Sequence, residues 1–141
     1  MTPLRSPRFR MFALLLTRFG LAATFLSGVA DRFGAWGRHG APNVSWGDLQ
    51  HFAARAQAVF PQAPPALALF SAWVATVLDA AFGLGLLIGV RTRTMAFGSG
   101  TLLLAYTLAT ALSVGPHATL AYGLLGLAGA SMLLAAVSDD L

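Results

Sequence analysis

The sequence predicts an all-α integral membrane protein: a four-helix bundle with an amphipathic helix in the outer loop between its first and second spans. Composition is the first ground, because 57% of residues are hydrophobic, the mean hydropathy is +0.71 and only 10% are charged, against roughly 25% charged in an ordinary soluble domain. The second is that apolar runs of about 20 residues, the length that crosses ~30 Å of hydrocarbon, occur four times. The third is punctuation: Pro64-Pro65 and Gly115-Pro116 stand just before apolar runs, where a proline can begin a helix without losing a hydrogen bond. Four spans fill most of 141 residues, so the chain reads as a single transmembrane domain, 1–141, with no separate soluble catalytic domain.

The first span is expected over about 11–30, after a tail bearing Arg5, Arg8 and Arg10. Gly28-Val29-Ala30 offers small residues around a cleavage point, as in a signal peptide, but Arg18 interrupts what would have to be an unbroken apolar core. The second span is expected over about 66–90, ending at Arg91-Thr92-Arg93, the third over 94–114 and the fourth over 117–137. Between the first two spans, Gly34, Gly37, Gly40 and Pro42-Asn43 predict irregular loop, with Trp36 suited to the membrane interface. From 46 to 60, Trp46, Leu49, Ala53, Ala56 and Phe60 recur every three or four residues, with Asp48, His51 and Arg55 on the other side. That pattern predicts an interfacial helix on the outer membrane surface, N-capped by Ser45 with Asp48 three residues on.

The net charge of +4 does not indicate nucleic acid, because all nine basic residues are Arg, scattered at the ends of apolar runs. Alternating spans put Arg5, Arg8, Arg10, Arg91 and Arg93 on one side, and the positive-inside rule makes that side, with both termini, cytoplasmic. Cysteine is absent, which excludes thiol exchange and thiolate-bound metal or iron–sulfur centres within the chain. Redox chemistry would have to belong to a bound cofactor or a partner.

A charge in the bilayer core costs on the order of 3 kcal/mol or more, so it persists with a partner or a task. Arg18 lies near the middle of the first span and Asp79 near the middle of the second, and their similar depth predicts an intramembrane ion pair between antiparallel helices. Around Asp79 the small residues Ala72, Ala75, Thr76 and Gly83 let a neighbour approach. Ser99, Tyr106, Thr110 and Ser113 form a polar stripe on the third span, and Thr119, Tyr122, Gly126 and Gly129 share a side of the fourth. Arg18, Asp79, Thr76, Tyr106 and Thr110 are the candidate polar site; the pair serves equally as a device fixing which helices adjoin. Gly85 and Gly89 have helix-packing spacing, and such small-residue faces also permit self-association into a homo-oligomer. No catalytic nucleophile is recognisable. His39, His51 and His117 fall on the outer side, and the Asp48–His51 spacing is explained by a solvated helix face, so no metal site is assigned.

Arg18-Phe-Gly-Leu leading to Phe25-Leu-Ser-Gly-Val-Ala-Asp31-Arg-Phe-Gly, then Asn43-Val-Ser-Trp-Gly, then Ala75-Thr-Val-Leu-Asp79-Ala-Ala-Phe-Gly-Leu-Gly-Leu-Leu-Ile-Gly89, then Arg91-Thr-Arg93, resembles the DoxX family of small bacterial four-helix membrane proteins over nearly the whole chain. The resemblance implies a multi-pass protein of the bacterial inner membrane, with relatives that include a subunit of a thiosulfate:quinone oxidoreductase. The acidic position of the second span, often Glu in that family, is Asp79 here.

The first functional expectation is therefore a membrane subunit of a quinone-linked oxidoreductase system. Arg18, Asp79, Tyr106 and Thr110 would hydrogen-bond a quinone head group and relay its protons, and a soluble or membrane redox partner would supply electrons. The alternative is a non-catalytic scaffold or anchoring protein with a structural Arg–Asp pair. A small proton-coupled transporter using Asp79 is a third reading, opposed by the absence of inverted repeats and broken spans.

Overall fold

The computed structural model describes residues 5–139; the extreme ends of the 1–141 unit, assigned above to the cytoplasm, lie outside the described residues. The described chain is all-helical: α1 (Pro7–Arg32), α2 (Leu49–Val59), α3 (Pro65–Ile88), α4 (Thr92–Ser113), α5 (Pro116–Ala121) and α6 (Leu124–Val137). Three of these, α1, α3 and α4, are long and apolar enough to cross a membrane, which points to a membrane protein. Only 17%, 28% and 22% of their most apolar windows are buried, so their exteriors are apolar too. Phe12, Phe70, Val77, Phe97 and Leu108 all stand exposed, as suits a lipid environment.

Local chemistry sets the boundaries. Ser6 caps α1 by accepting the Phe9 N–H at 3.2 Å, with Pro7 opening the first turn. Gly89 closes α3 at φ 83°, its N–H returning to the Gly85 carbonyl at 2.9 Å, a left-handed cap that glycine adopts without penalty. The expected fourth span is not one helix. It breaks at Tyr122–Gly123, with Gly123 at φ 70°, into the six-residue α5 and the 14-residue α6.

Packing runs from α1 to α3, α3 to α4, α4 to α6 and, over a shorter stretch, α6 to α1. Close approach is bought with small residues: a Cβ on Gly83 would stand 2.8 Å from Leu26 Cγ, and one on Gly98 2.6 Å from the Phe82 ring. Between α4 and α6 the buried Ser99 and Ser131 hydroxyls bond each other, and Ser131 Oγ also donates to the Ala96 carbonyl at 2.9 Å. Gly126 and Gly129 do not share in this, since a Cβ on either would meet nothing within 4 Å; the expected glycine face of the fourth span is unpacked.

The antiparallel register of α1 and α3 is fixed by two contacts. Phe25 packs against Gly83, and the Arg18 guanidinium lies against Gly89. Arg18 therefore stands beside the α3–α4 turn, at the end of the molecule that also carries Arg8, Arg10, Arg91 and Arg93.

The expected amphipathic helix exists, with two corrections. It starts at Leu49 and is capped by Asp48, not Ser45. The Ser45 N–H instead donates to Asp31 Oδ2 at 3.1 Å, so this stretch is held to the end of α1 before helix begins. The helix also packs on α3 and α4, with Ala53 buried, and so covers part of the protein interior. Its approach is fixed by Gly47, at φ 76°, where a Cβ would collide with the His39 backbone nitrogen.

Candidate functional site

The site grows from the last turn of α1. The apolar run ends near Ala30, but helix continues through Asp31 and Arg32, both buried. Asp31 turns towards the following loop: Oδ2 accepts the N–H groups of Ser45 and Trp46 at 3.1 Å each, and Oδ1 that of Gly47 at 3.3 Å. Three backbone donors on one carboxylate compensate its removal from water.

Arg32 turns inward to α3. Its Nη2 lies 2.6 Å from Asp79 Oδ2, and its Nη1 donates to Thr76 Oγ1 at 3.1 Å. Thr76 in turn donates to the Ala72 carbonyl at 2.7 Å, which orients its lone pairs towards the guanidinium. From α4, Tyr106 donates its hydroxyl proton to Asp79 Oδ2 at 2.9 Å. From α2, the Phe52 ring covers the guanidinium, 3.7 Å from centroid to Cζ, and meets Tyr106 edge-on at 6.5 Å. One fork thus joins α1, α2, α3 and α4, and with Arg32 at 5% and Asp79 at 2% exposure the Coulombic and cation–π terms are little screened.

This corrects the expected partner of Asp79. Arg18 does not reach it. In the register set by Phe25 and Gly83, Asp79 lies opposite residue 29, so Arg18 is displaced along the helix by about 16 Å at 1.5 Å per residue. Thr76, Tyr106 and Thr110 do gather near Asp79: the first two by hydrogen bonds, Thr110 by lining the same cavity. Arg32 and Asp31 were missed because the end of α1 reads as loop once the apolar run stops, and Phe52, on α2, because periodicity does not show what a helix face covers. The available signal was the spacing of Thr76 and Asp79, an i, i+3 acceptor pair suited to a forked donor from the neighbouring helix end.

Beside this cluster lies a cavity of about 590 Å³, bounded by Arg32, Asp79, Tyr106 and Thr110, with Trp46 and Phe52 on the α2 side. The size falls within the ~300–1,000 Å³ of small-molecule sites. Two of its lining residues keep a buried polar atom without a hydrogen-bond partner, Arg32 Nε and Asp79 Oδ1. One is a donor and the other an acceptor. Such atoms are costly to leave unmatched, and together they suit a group that both accepts and donates.

The loop before α2 and the first turn of α2 carry a separate cluster. His39 and His51 stack at 3.5 Å with 10° between the rings; His39 Nδ1 donates to the Trp46 carbonyl at 2.8 Å, and His51 Nδ1 lies 2.8 Å from Asp48. Among the described residues no group of three or more His, Cys, Asp or Glu is placed to hold a metal ion. The Asp48 carboxyl is held below its ordinary value of 3.8, first by the backbone N–H of His51 and then by the His51 ring. A depressed folded-state value means the cap contributes fully above about pH 4 and is lost as pH falls through that lower value. Amide exchange in the first turn of α2, corrected for intrinsic rates, should therefore accelerate in strong acid, and in Asp48→Ala it should be fast at neutral pH as well. Protection independent of both would contradict the cap.

Comparison of the chain with family models, with characterised proteins and with solved structures returns no match.

Proposed function

We propose that this protein is a DoxX-like four-helix protein of the bacterial inner membrane that binds a quinone head group beside Asp79 and serves as the membrane subunit of a quinone-linked oxidoreductase. The observation that carries the reading is the cavity of about 590 Å³ whose polar wall is Arg32–Asp79–Tyr106 and which retains an unmatched donor and an unmatched acceptor. α5 and α6 together supply the fourth crossing, the break at Gly123 being tolerated where it borders the cavity. The basic end is cytoplasmic by the positive-inside rule, which makes α2, with His51 and the His39 stacked on it, periplasmic.

The residues present fit a quinone. Arg32 supplies a fixed cationic donor, Tyr106 and Thr110 supply hydroxyls, and Asp79 is a carboxyl able to take or give a proton, held in place by Arg32 and Tyr106. A quinone, when bound, supplies electron transfer coupled to proton uptake, and a partner subunit supplies the electrons. Trp46 and Phe52 cover the polar cluster from the α2 side and keep water from it.

The test uses Trp46 as a reporter, in a variant with Trp36→Phe and Trp73→Phe. A short-chain benzoquinone should quench its fluorescence saturably, a short-chain quinol should displace it, and Asp79→Asn should weaken the quinol's binding by about tenfold, the loss of the hydrogen bond that a quinol hydroxyl donates to the buried carboxylate. Quenching that does not saturate, or displacement by quinol that is unchanged by Asp79→Asn, would sink the reading.

A scaffold role is the second reading, favoured by one observation: Asp79 Oδ2 already binds both Arg32 and Tyr106, which ties three helices together without a ligand. On that reading Arg32→Asp combined with Asp79→Arg restores both folding and function. Restored folding without function supports the ligand site.

A further inference from the structure

We propose that the cavity opens sideways into the bilayer, through a gap between α1 and the start of α6, and takes a membrane-soluble amphiphile. The polar head meets Arg32 and Asp79 while the apolar chain leaves through the gap. The proposal rests on reading the cavity as a ligand site, and adds the class of occupant and its route.

The gap follows from how the helices pair. α1 packs chiefly on α3 and α6 chiefly on α4, so the α1–α6 seam is the weakest side. Gly28 of α1 and Leu124 of α6 both line the cavity there, and a Cβ on Gly28 would meet nothing within 4 Å. Thr24, one turn along α1, lines the cavity and is exposed; Tyr122, at the break between α5 and α6, lines it too and is 59% exposed. The helix break at Gly123 leaves this seam without a continuous helix to close it.

Depth decides what lies outside. Phe25 meets Gly83 and Arg32 meets Thr76, so Gly28 is level with the middle of α3, where a membrane-spanning helix is surrounded by acyl chains. On the other side Phe52 of α2, with Trp46 of the preceding loop edge-on against it, lies over the polar cluster. A water-soluble ligand would have to pass these two rings. An amphiphile need not, because its chain stays in lipid throughout and only its head leaves the interface.

The experiment compares wild type with Gly28→Leu, whose side chain fills the gap without meeting backbone, and uses Thr24→Trp if the first variant does not fold. The full chain, purified in mild detergent, is weighed intact by native mass spectrometry and its bound molecules are extracted into organic solvent. Wild type should carry close to one amphiphile per chain, and the variant about tenfold less at an unchanged Tm, as filling a binding space with new methylenes demands. A wild type that carries none, or a folded variant loaded as fully as wild type, overturns the lateral opening. The identity of the molecule separates the two proposals: a quinone supports both, whereas a fatty acid or phospholipid lost from the variant upholds the opening and refutes the quinone reading.

Discussion

Arg32→Met is expected to destabilise the protein by about 3–5 kcal/mol, because it leaves the Asp79 carboxylate buried with its cation gone. Tyr106 would still donate one hydrogen bond, and a neutral phenol cannot replace a guanidinium that also binds Thr76 and lies under Phe52. Arg18→Met should cost under about 1 kcal/mol, since Met preserves the aliphatic stem and removes a partly buried guanidinium whose Nε has no partner. Reversible unfolding in mixed SDS micelles, followed by far-ultraviolet circular dichroism, measures both. A larger loss from Arg18→Met than from Arg32→Met would reverse the assignment of the ion pair.

Asp31→Ala is expected to cost about 3 kcal/mol, from three backbone N–H groups that lose a charged acceptor. The damage should be local. Residues 45–47 set where α2 begins, and α2 carries Phe52 over Arg32, so amide exchange should accelerate across 45–59 while the centres of α3 and α4 keep their protection. Asp31→Asn should fall between, because its amide retains an oxygen acceptor but not the charge. Unchanged exchange in 45–59, or a uniform acceleration through every helix, would show that Asp31 does not anchor the loop.

Much of the fold was legible because burial in lipid leaves a coarse imprint: apolar length placed α1, α3 and α4, and three-to-four periodicity placed α2. The polar stripe on α4 was legible for the same reason, and Ser99 and Tyr106 do point to partners on α6 and α3. The partner of Asp79 was not legible from depth within an apolar run. Depth compares each charge with the centre of its own hydrophobic segment, whereas contact depends on the register between helices. Side-chain packing such as Phe25 on Gly83 decides that register. α1 also outlasts its apolar run by Asp31 and Arg32, since both are satisfied by loop and neighbour rather than by water. The break in the expected fourth span was hidden because Tyr122–Gly123 lies in largely apolar sequence, where a left-handed glycine leaves no compositional mark. The reach of α2 over the cavity was invisible to periodicity, which finds an apolar face but not what it covers.

The most direct measurement is a double-mutant cycle on unfolding free energy for Arg32→Met with Asp79→Asn, run beside the same cycle for Arg18→Met with Asp79→Asn. Direct contact at 2.6 Å between Arg32 and Asp79 predicts a coupling of about 2 kcal/mol or more in the first cycle and about zero in the second. Additivity in the first cycle, with coupling in the second, would contradict it.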